Sequence, residues 1–151
     1  MKHWFDARER EALLARVHRL SADSTARWGR MNVQQVVCHM ADLVRVALGE
    51  KISAPLGLPL GWPGLSWFVV WLMPWPRGVP TAPELRAGTG MTAPGDFARD
   101  KEILLELLDR FTAFPAERQF SPSPAFGPMS RAMWGRFMWR HVDHHLRQFG
   151  V

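Results

Sequence analysis

The 151-residue sequence predicts an all-α protein: a four-helix bundle whose second and third helices are joined by a long Trp/Pro-rich crossover containing a short extra helix. Three observations carry this. Four segments place apolar residues at the three- and four-residue spacing of a helix face. Each of the four begins at a residue suited to capping a helix N-terminus. No stretch alternates convincingly with period two, so strands are not expected. Four amphipathic helices in a chain of this size argue for a bundle.

The first helix runs from about Ala7 to Leu20. Asp6 and Glu9 form a capping-box pattern at its start, and Leu13, Leu14, Val17 and Leu20 make its buried stripe. The second runs from about Val33 to Leu48, with Asn32 as N-cap, Gln35 at the third helical position and Gly49 as stop. Its stripe is Val36, Leu43 and Val46, flanked by Met40. The third, from about Phe97 to Phe114, follows Gly95-Asp96 and ends before Pro115, with Phe97, Leu104, Leu107, Leu108 and Phe111 on its apolar face. The fourth runs from about Arg131 to Phe149, behind Ser130 and ahead of Gly150.

The segment between the second and third helices, about 45 residues from Glu50 to Asp96, far exceeds the usual bundle loop of about 2–8 residues. Its ends are rich in proline and glycine, whereas its middle, LSWFVVWLM from Leu65 to Met73, is almost wholly apolar. A membrane span needs ~20 apolar residues, and this run is closed by Pro63 and Pro74, so it does not span. It reads as a short extra helix packed on the bundle or on a second subunit, with a membrane surface as the other occupant. A crossover of this length also frees the bundle from simple up-down-up-down order.

Length and composition fit one domain over residues 1–151. The single cysteine, Cys38, excludes an internal disulfide, and the charged start MKHWFDARER lacks a signal peptide's apolar region, so the expected compartment is the cytoplasm. The net charge is +5, but the arginines are scattered, so nucleic acid is not the expected partner. A small anionic substrate is compatible with the charge without being selected by it.

Three of the six histidines fall in the terminal stretch RHVDHHLRQFG. With His141 set at zero and about 100° per residue, Trp134 lies at about 20°, Phe137 at about −40°, His145 at about 40° and Gln148 at about −20°. His141 and His145 therefore lie within the apolar stripe, and His144, at about −60°, on its rim. On the second helix His39 also faces inward, between Val36 at about 60° and Val46 at about −20°. Burying three imidazoles among Trp, Phe, Leu and Val is costly unless each nitrogen finds a partner. Metal coordination satisfies several at once: histidines at i and i+4 project side by side, and a third from a facing helix completes a site inside a bundle. A lone histidine on an apolar face is more often a core residue bonded to a carbonyl or carboxylate, so geometry leaves both readings open.

Other residues narrow the chemistry. Val142 occupies the place where an H-E-x-x-H protease carries its glutamate, which excludes that mechanism. Cys38, about −100° from His39, points away from the site and reads as a small buried residue. Gln35, Asp42 and Gln148 are candidates to orient the histidine rings. His3 and His18 read as surface residues. Trp62, Trp67, Phe68, Trp71 and Trp75 of the crossover are candidates for a wall or lid over the site.

The ordered set WGRMNVQQVVCH from Trp28 to His39, PWPRGVPTAPE from Pro74 to Glu84, FGPMS from Phe126, and WGRFMWRHVDHHLRQFG from Trp134 to Gly150 resembles the DinB-like superfamily of metal-dependent helical bundles, in one of its uncharacterised branches. The resemblance implies a bundle with a long crossover, often a homodimer, with a divalent ion held by three histidines. By position these fall on His39, His141 and His145; His144 matches no ligand position. The resemblance also implies a small-molecule substrate and a low-molecular-weight thiol cofactor, as in thiol-dependent S-transferases and a maleylpyruvate isomerase. It would place His-Pro ahead of Phe126-Gly127, where this chain has Ser123-Pro124. If that histidine takes part in the chemistry of relatives, the activity here is altered or lost.

The function expected is thus that of a metalloenzyme with three protein ligands and open coordination positions, since a structural site is normally closed by four. Zinc, nickel, copper and iron all suit such a donor set. The alternative is a non-catalytic metal- or ligand-binding dimeric bundle, with the Trp-rich segment as dimer surface. WGR recurs at Trp28 and Trp134, each eleven residues before a candidate ligand, yet Trp28 precedes its helix and Trp134 lies within one, so the equal spacing reads as coincidence.

Overall fold

A computed structural model describes residues 1–57, 59–77 and 81–151. Positions 78–80 of the PWPRGVPTAPE stretch and Leu58 of the crossover lie outside the described residues. Among the described residues there are five α-helices: α1 (Ala7–Arg19), α2 (Val33–Leu48), α3 (Pro63–Trp71), α4 (Phe97–Thr112) and α5 (Arg131–Gln148). No strand occurs among the described residues; one isolated bridge joins Ser123 to Gly127.

The starts follow the capping residues. Asp6, Asn32, Asp96 and Ser130 each accept a hydrogen bond from the backbone N–H three residues on, and Asn32 and Gln35 form a complete capping box. The ends depart slightly from expectation. At α1, Leu20 is already extended, its N–H drawn back to the Val17 carbonyl. Helix α4 stops at Thr112 rather than Phe114, because a residue directly before proline is disfavoured in helical conformation and Pro115 follows. Helix α3 covers Pro63–Trp71 instead of Leu65–Met73: proline fits the first helical turn, whose N–H has no intrahelical partner.

Helix α2 is the central element. Twelve of its sixteen residues are buried, so it is enclosed well beyond one stripe. It packs most extensively on α4 and also meets α5 and the one-turn 3-10 helix Pro83–Leu85, while α5 additionally contacts α1 and α3. One apolar cluster joins all of these elements, with Trp4, Phe111, Trp134, Leu104 and Leu146 fully enclosed.

Two attachments to α5 position the remaining chain. The N-terminal segment lies along α5, where the Trp4 N–H donates to the Gly135 carbonyl (3.0 Å) and the His3 ring bonds the Ala132 carbonyl (2.8 Å), while the Trp4 indole N–H donates to the Thr112 hydroxyl at the end of α4 (2.9 Å). His3 is therefore half-buried, not the surface residue expected; His18 is exposed. The second attachment is Arg140, which donates to the Val69 (3.0 Å) and Val70 (2.9 Å) carbonyls and to that of Met73 at the end of α3. These are among the carbonyls a helix C-terminus leaves unpaired, and a guanidinium there also meets the negative end of the helix dipole. The crossover is thereby held against the helix that carries two of the candidate ligands.

Candidate metal centre

His39 projects from the middle of α2, and His141 and His145 from adjacent turns of α5. One ring nitrogen of each lies within 4.8 Å of the others, and all three residues are buried. The ring centroids are 5.0 Å (His39 to His141), 5.0 Å (His39 to His145) and 4.6 Å (His141 to His145) apart. Three histidines chosen by helical angle on two helices a hundred residues apart in sequence thus meet in one cluster that can hold a metal ion.

The hydrogen bonds on the outer ring nitrogens decide which atoms face inward. His39 Nδ1 lies 2.8 Å from the Leu85 carbonyl, a pure acceptor, so Nδ1 carries the proton and Nε2 keeps its lone pair. Gln148 Nε2 donates to the Trp28 carbonyl (2.9 Å), which turns Gln148 Oε1 toward His145 Nδ1 (2.9 Å) and fixes that ring in the same tautomer. His141 is different: its buried Nδ1 finds no hydrogen-bond partner among the described residues. Its Nε2 lies 3.0 Å from His39 Nε2, and since that atom is an acceptor, His141 donates the proton of this bond. Nothing on the outer side pins that proton, so His141 is the one ring of the three free to change tautomer and offer an inward lone pair.

Electrostatics favours neutral rings. Burial lowers the pKa of His39 against the opposing effect of the Leu85 bond, and it drives His141 and His145 well below the ordinary value, with mutual repulsion among the histidines adding to it. Neutral imidazole is the form that ligates a metal. Oxygen-seeking ions are poorly served by three nitrogens, whereas zinc, nickel, copper and iron accept them.

The cluster opens on a cleft of about 780 Å³, a size that suits a small molecule. Its walls include Leu43, Val69, Trp75, Phe126 and Phe137. Of the crossover aromatics, Trp75 lines the cleft, while Trp62, Trp67 and Phe68 are exposed and Trp71 stacks on His3. Of the five aromatics expected to form a wall or lid, Trp75 alone is in the cleft wall, while the rest of the crossover contributes aliphatic residues such as Leu56, Leu60 and Val69. His144 also lines the cleft, between Trp28 and Trp75.

Of the three expected ring-orienting residues, only Gln148 serves. Asp42, with its side chain fully enclosed, accepts instead from Arg45, Lys51 and both the N–H and hydroxyl of Thr92. It ties α2 to the segment preceding α4. Gln35 is taken by the capping box, its Oε1 accepting from the Asn32 N–H. Cys38 is buried and belongs neither to the histidine cluster nor to the cleft wall; burial and then the nearby Asp100 push its thiol pKa up to about 12, which disfavours the thiolate. The Leu85 carbonyl was not legible beforehand, because a backbone acceptor delivered by a single 3-10 turn has no sequence periodicity. Ser123, in place of the expected histidine, is buried at the cleft and its hydroxyl closes a turn on the Ala125 and Phe126 N–H groups.

Gly29 and Gly135 belong to the two WGR triplets and act differently. Gly29 has φ +83°, and a Cβ there would lie 2.6 Å from Gln148 Nε2, so glycine lets the chain pass the residue that holds His145. Gly135, within α5, instead makes room for His3 and Phe5.

A family model described as a protein of unknown function (DUF1569) matches residues 3–150. The chain belongs to the DUF1569 family. No curated protein and no solved structure matches it. The span shared with the DUF1569 family takes in His39, His141, His145 and Gln148 as well as the entire crossover, so the cluster is internal to one family unit.

Proposed function

We propose that this DUF1569 protein is a metalloenzyme of the DinB-like type, holding one divalent transition ion, zinc, nickel or iron, through Nε2 of His39, His141 and His145. The observation that carries this reading is the convergence of three buried ring nitrogens, two of them aimed by outer hydrogen bonds to Leu85 and Gln148. Such outer partners are what orient histidine ligands in metal sites. When bound, the ion supplies a Lewis acid that lowers the pKa of coordinated water or thiol.

The chain's own residues then determine the class of reaction. The apolar walls, among them Leu43, Phe126 and Phe137, support a small-molecule substrate beside a low-molecular-weight thiol as the ligands of the cleft. No aspartate or glutamate lines the cleft among the described residues, so a carboxylate base for hydrolysis is missing. Thiol-dependent S-transfer or isomerisation does not need one, because the thiol brings its own nucleophile. The four long helices as a four-helix bundle, and a cytoplasmic homodimer, belong to the same reading.

A second reading, a non-catalytic metal- or ligand-binding dimeric bundle, is favoured by two observations. The His39–His141 bond partly satisfies the cluster by itself, and Trp62, Leu65, Trp67, Phe68 and Leu72 leave the α3 region with an exposed apolar face. Elemental analysis of protein purified without a nickel column tests the shared premise. About one equivalent of transition metal is expected for the wild type, and its loss in the His141→Ala, His145→Ala double variant. Less than about a tenth of an equivalent, with no gain on adding zinc, nickel or iron, overturns both metal readings. Thiol consumption in the presence of an electrophile separates them: equal rates with metal-loaded and metal-stripped protein leave only the non-catalytic one.

A further inference from the structure

The charge around the cleft is one-sided. Arg30, Arg77 and Arg86 line it, all three exposed and so at its rim, with no carboxylate opposite them among the described residues. The ion pairs of the described chain engage Arg16, Arg45, Lys51, Arg99, Arg110 and Arg147, and none of the three rim arginines. The guanidinium of Arg77 lies 4.4 Å from the centroid of the Trp28 ring, whose backbone carbonyl anchors Gln148. Stacking of this kind holds the planar group in place and leaves its edge donors available. Arg86 spends one nitrogen on the Thr81 carbonyl (3.0 Å), and Arg30 makes no hydrogen bond to a described residue. Arg140 is the contrast: also free of a carboxylate partner, it has its donors committed to α3 carbonyls.

Three cations in a concave site with apolar walls and no compensating acid create a positive field that focuses on the interior. We propose that the ligand of this cleft is an organic anion: an apolar body resting against Phe126, Phe137 and Trp75, with an oxyanion end, carboxylate or phosphate, gripped by Arg77 together with Arg30 and Arg86. The guanidinium fork matches both head groups. The proposal builds on the metalloenzyme reading, because it sets the charged end of the ligand at the rim and its reactive end toward the histidines. Selection for an anion, however, requires no metal.

Tryptophan fluorescence of the full-length protein, stripped with a chelator so that no ion contributes, is titrated with benzoate, phenyl phosphate and benzyl alcohol. At least one of the two anions binds about tenfold or more tightly than the neutral alcohol, and the preference shrinks as salt rises. Comparing benzoate with phenyl phosphate identifies the preferred head group. The Arg30→Gln, Arg77→Gln, Arg86→Gln variant loses the preference and keeps its affinity for benzyl alcohol; its far-UV spectrum and melting curve match the wild type, because the three side chains are exposed. Equal affinity for charged and neutral probes, no saturable binding of either anion, or a preference that survives in the triple variant overturns the proposal. Zinc uptake measured on the same preparations separates the two claims. Anion preference without zinc binding defeats the metal reading alone, and zinc binding without anion preference defeats this one alone.

Discussion

Gln148→Leu isolates the group that aims His145. The side chain is 3% exposed and joins two elements, accepting from His145 Nδ1 at 2.9 Å and donating to the Trp28 carbonyl at 2.9 Å. Leucine keeps most of the volume and removes both polar functions. The first cost is stability. The His145 N–H and the Trp28 carbonyl lose their partners, at about 1–3 kcal/mol for each group left unpaired, so the loss is about 2–6 kcal/mol. A domain near the middle of the usual range of about 5–15 kcal/mol remains folded after that, and the urea curve shows whether it does. The second cost falls on metal affinity. Without the Gln148 acceptor the His145 ring is neither locked in tautomer nor held in rotation, and loss of such a partner weakens binding about 10–100-fold, or about 1.4–2.8 kcal/mol. Zinc competition against a chromogenic chelator reads the affinity, with urea unfolding in parallel. Gln148→Glu separates the two costs: it keeps an acceptor for His145 but loses the donor to Trp28, so zinc affinity stays within about threefold of wild type while stability does not recover. A folded Gln148→Leu protein with wild-type zinc affinity refutes the role assigned to this side chain.

Two further predictions concern the scaffold. Burial by itself would raise the Asp42 pKa, but the bonds from Lys51, Thr92 and Arg45 outweigh it and hold the carboxyl below its ordinary value of 3.8. A depressed folded pKa means that its stabilisation is complete above the ordinary value and is lost as pH falls through the folded one. Asp42→Asn is therefore about 2–3 kcal/mol less stable than wild type near neutral pH, and the gap closes in acid; urea melts across that range showing a constant gap contradict the assignment. At Gly135, alanine is favoured by helix propensity by about 1 kcal/mol, but its Cβ would stand 2.3 Å from His3 Cε1 and 2.7 Å from Phe5 Cδ2. Overpacking of about 1–3 kcal/mol outweighs the gain, so Gly135→Ala lowers the melting temperature, and a rise shows that the N-terminal segment does not dock on α5.

Much was legible in the chain itself wherever a local rule applied. Caps and apolar spacing located the four long helices to within two residues of their ends. The angular positions of His39, His141 and His145 marked them as inward-facing, because the projection of a helical side chain depends only on its place along the helix. The same arithmetic proved insufficient for Asp42 and Gln35. Both lie on the correct side of α2, yet Lys51, Thr92 and Asn32 claim them, and all three of these competitors lie outside the Val33–Leu48 span of that helix.

The sequence alone determined that the protein is helical, that two of its helices each carry histidine into the interior, and that a long aromatic crossover separates them. Only the tertiary structure decided that the three rings meet, which nitrogen of each faces its neighbours, and that Leu85, Trp28 and the rim arginines share their cleft. The physical reason is range. Periodicity and capping act within one turn of backbone, whereas tautomer, burial and electrostatic field depend on groups that the crossover and the N-terminal segment deliver from tens of residues away.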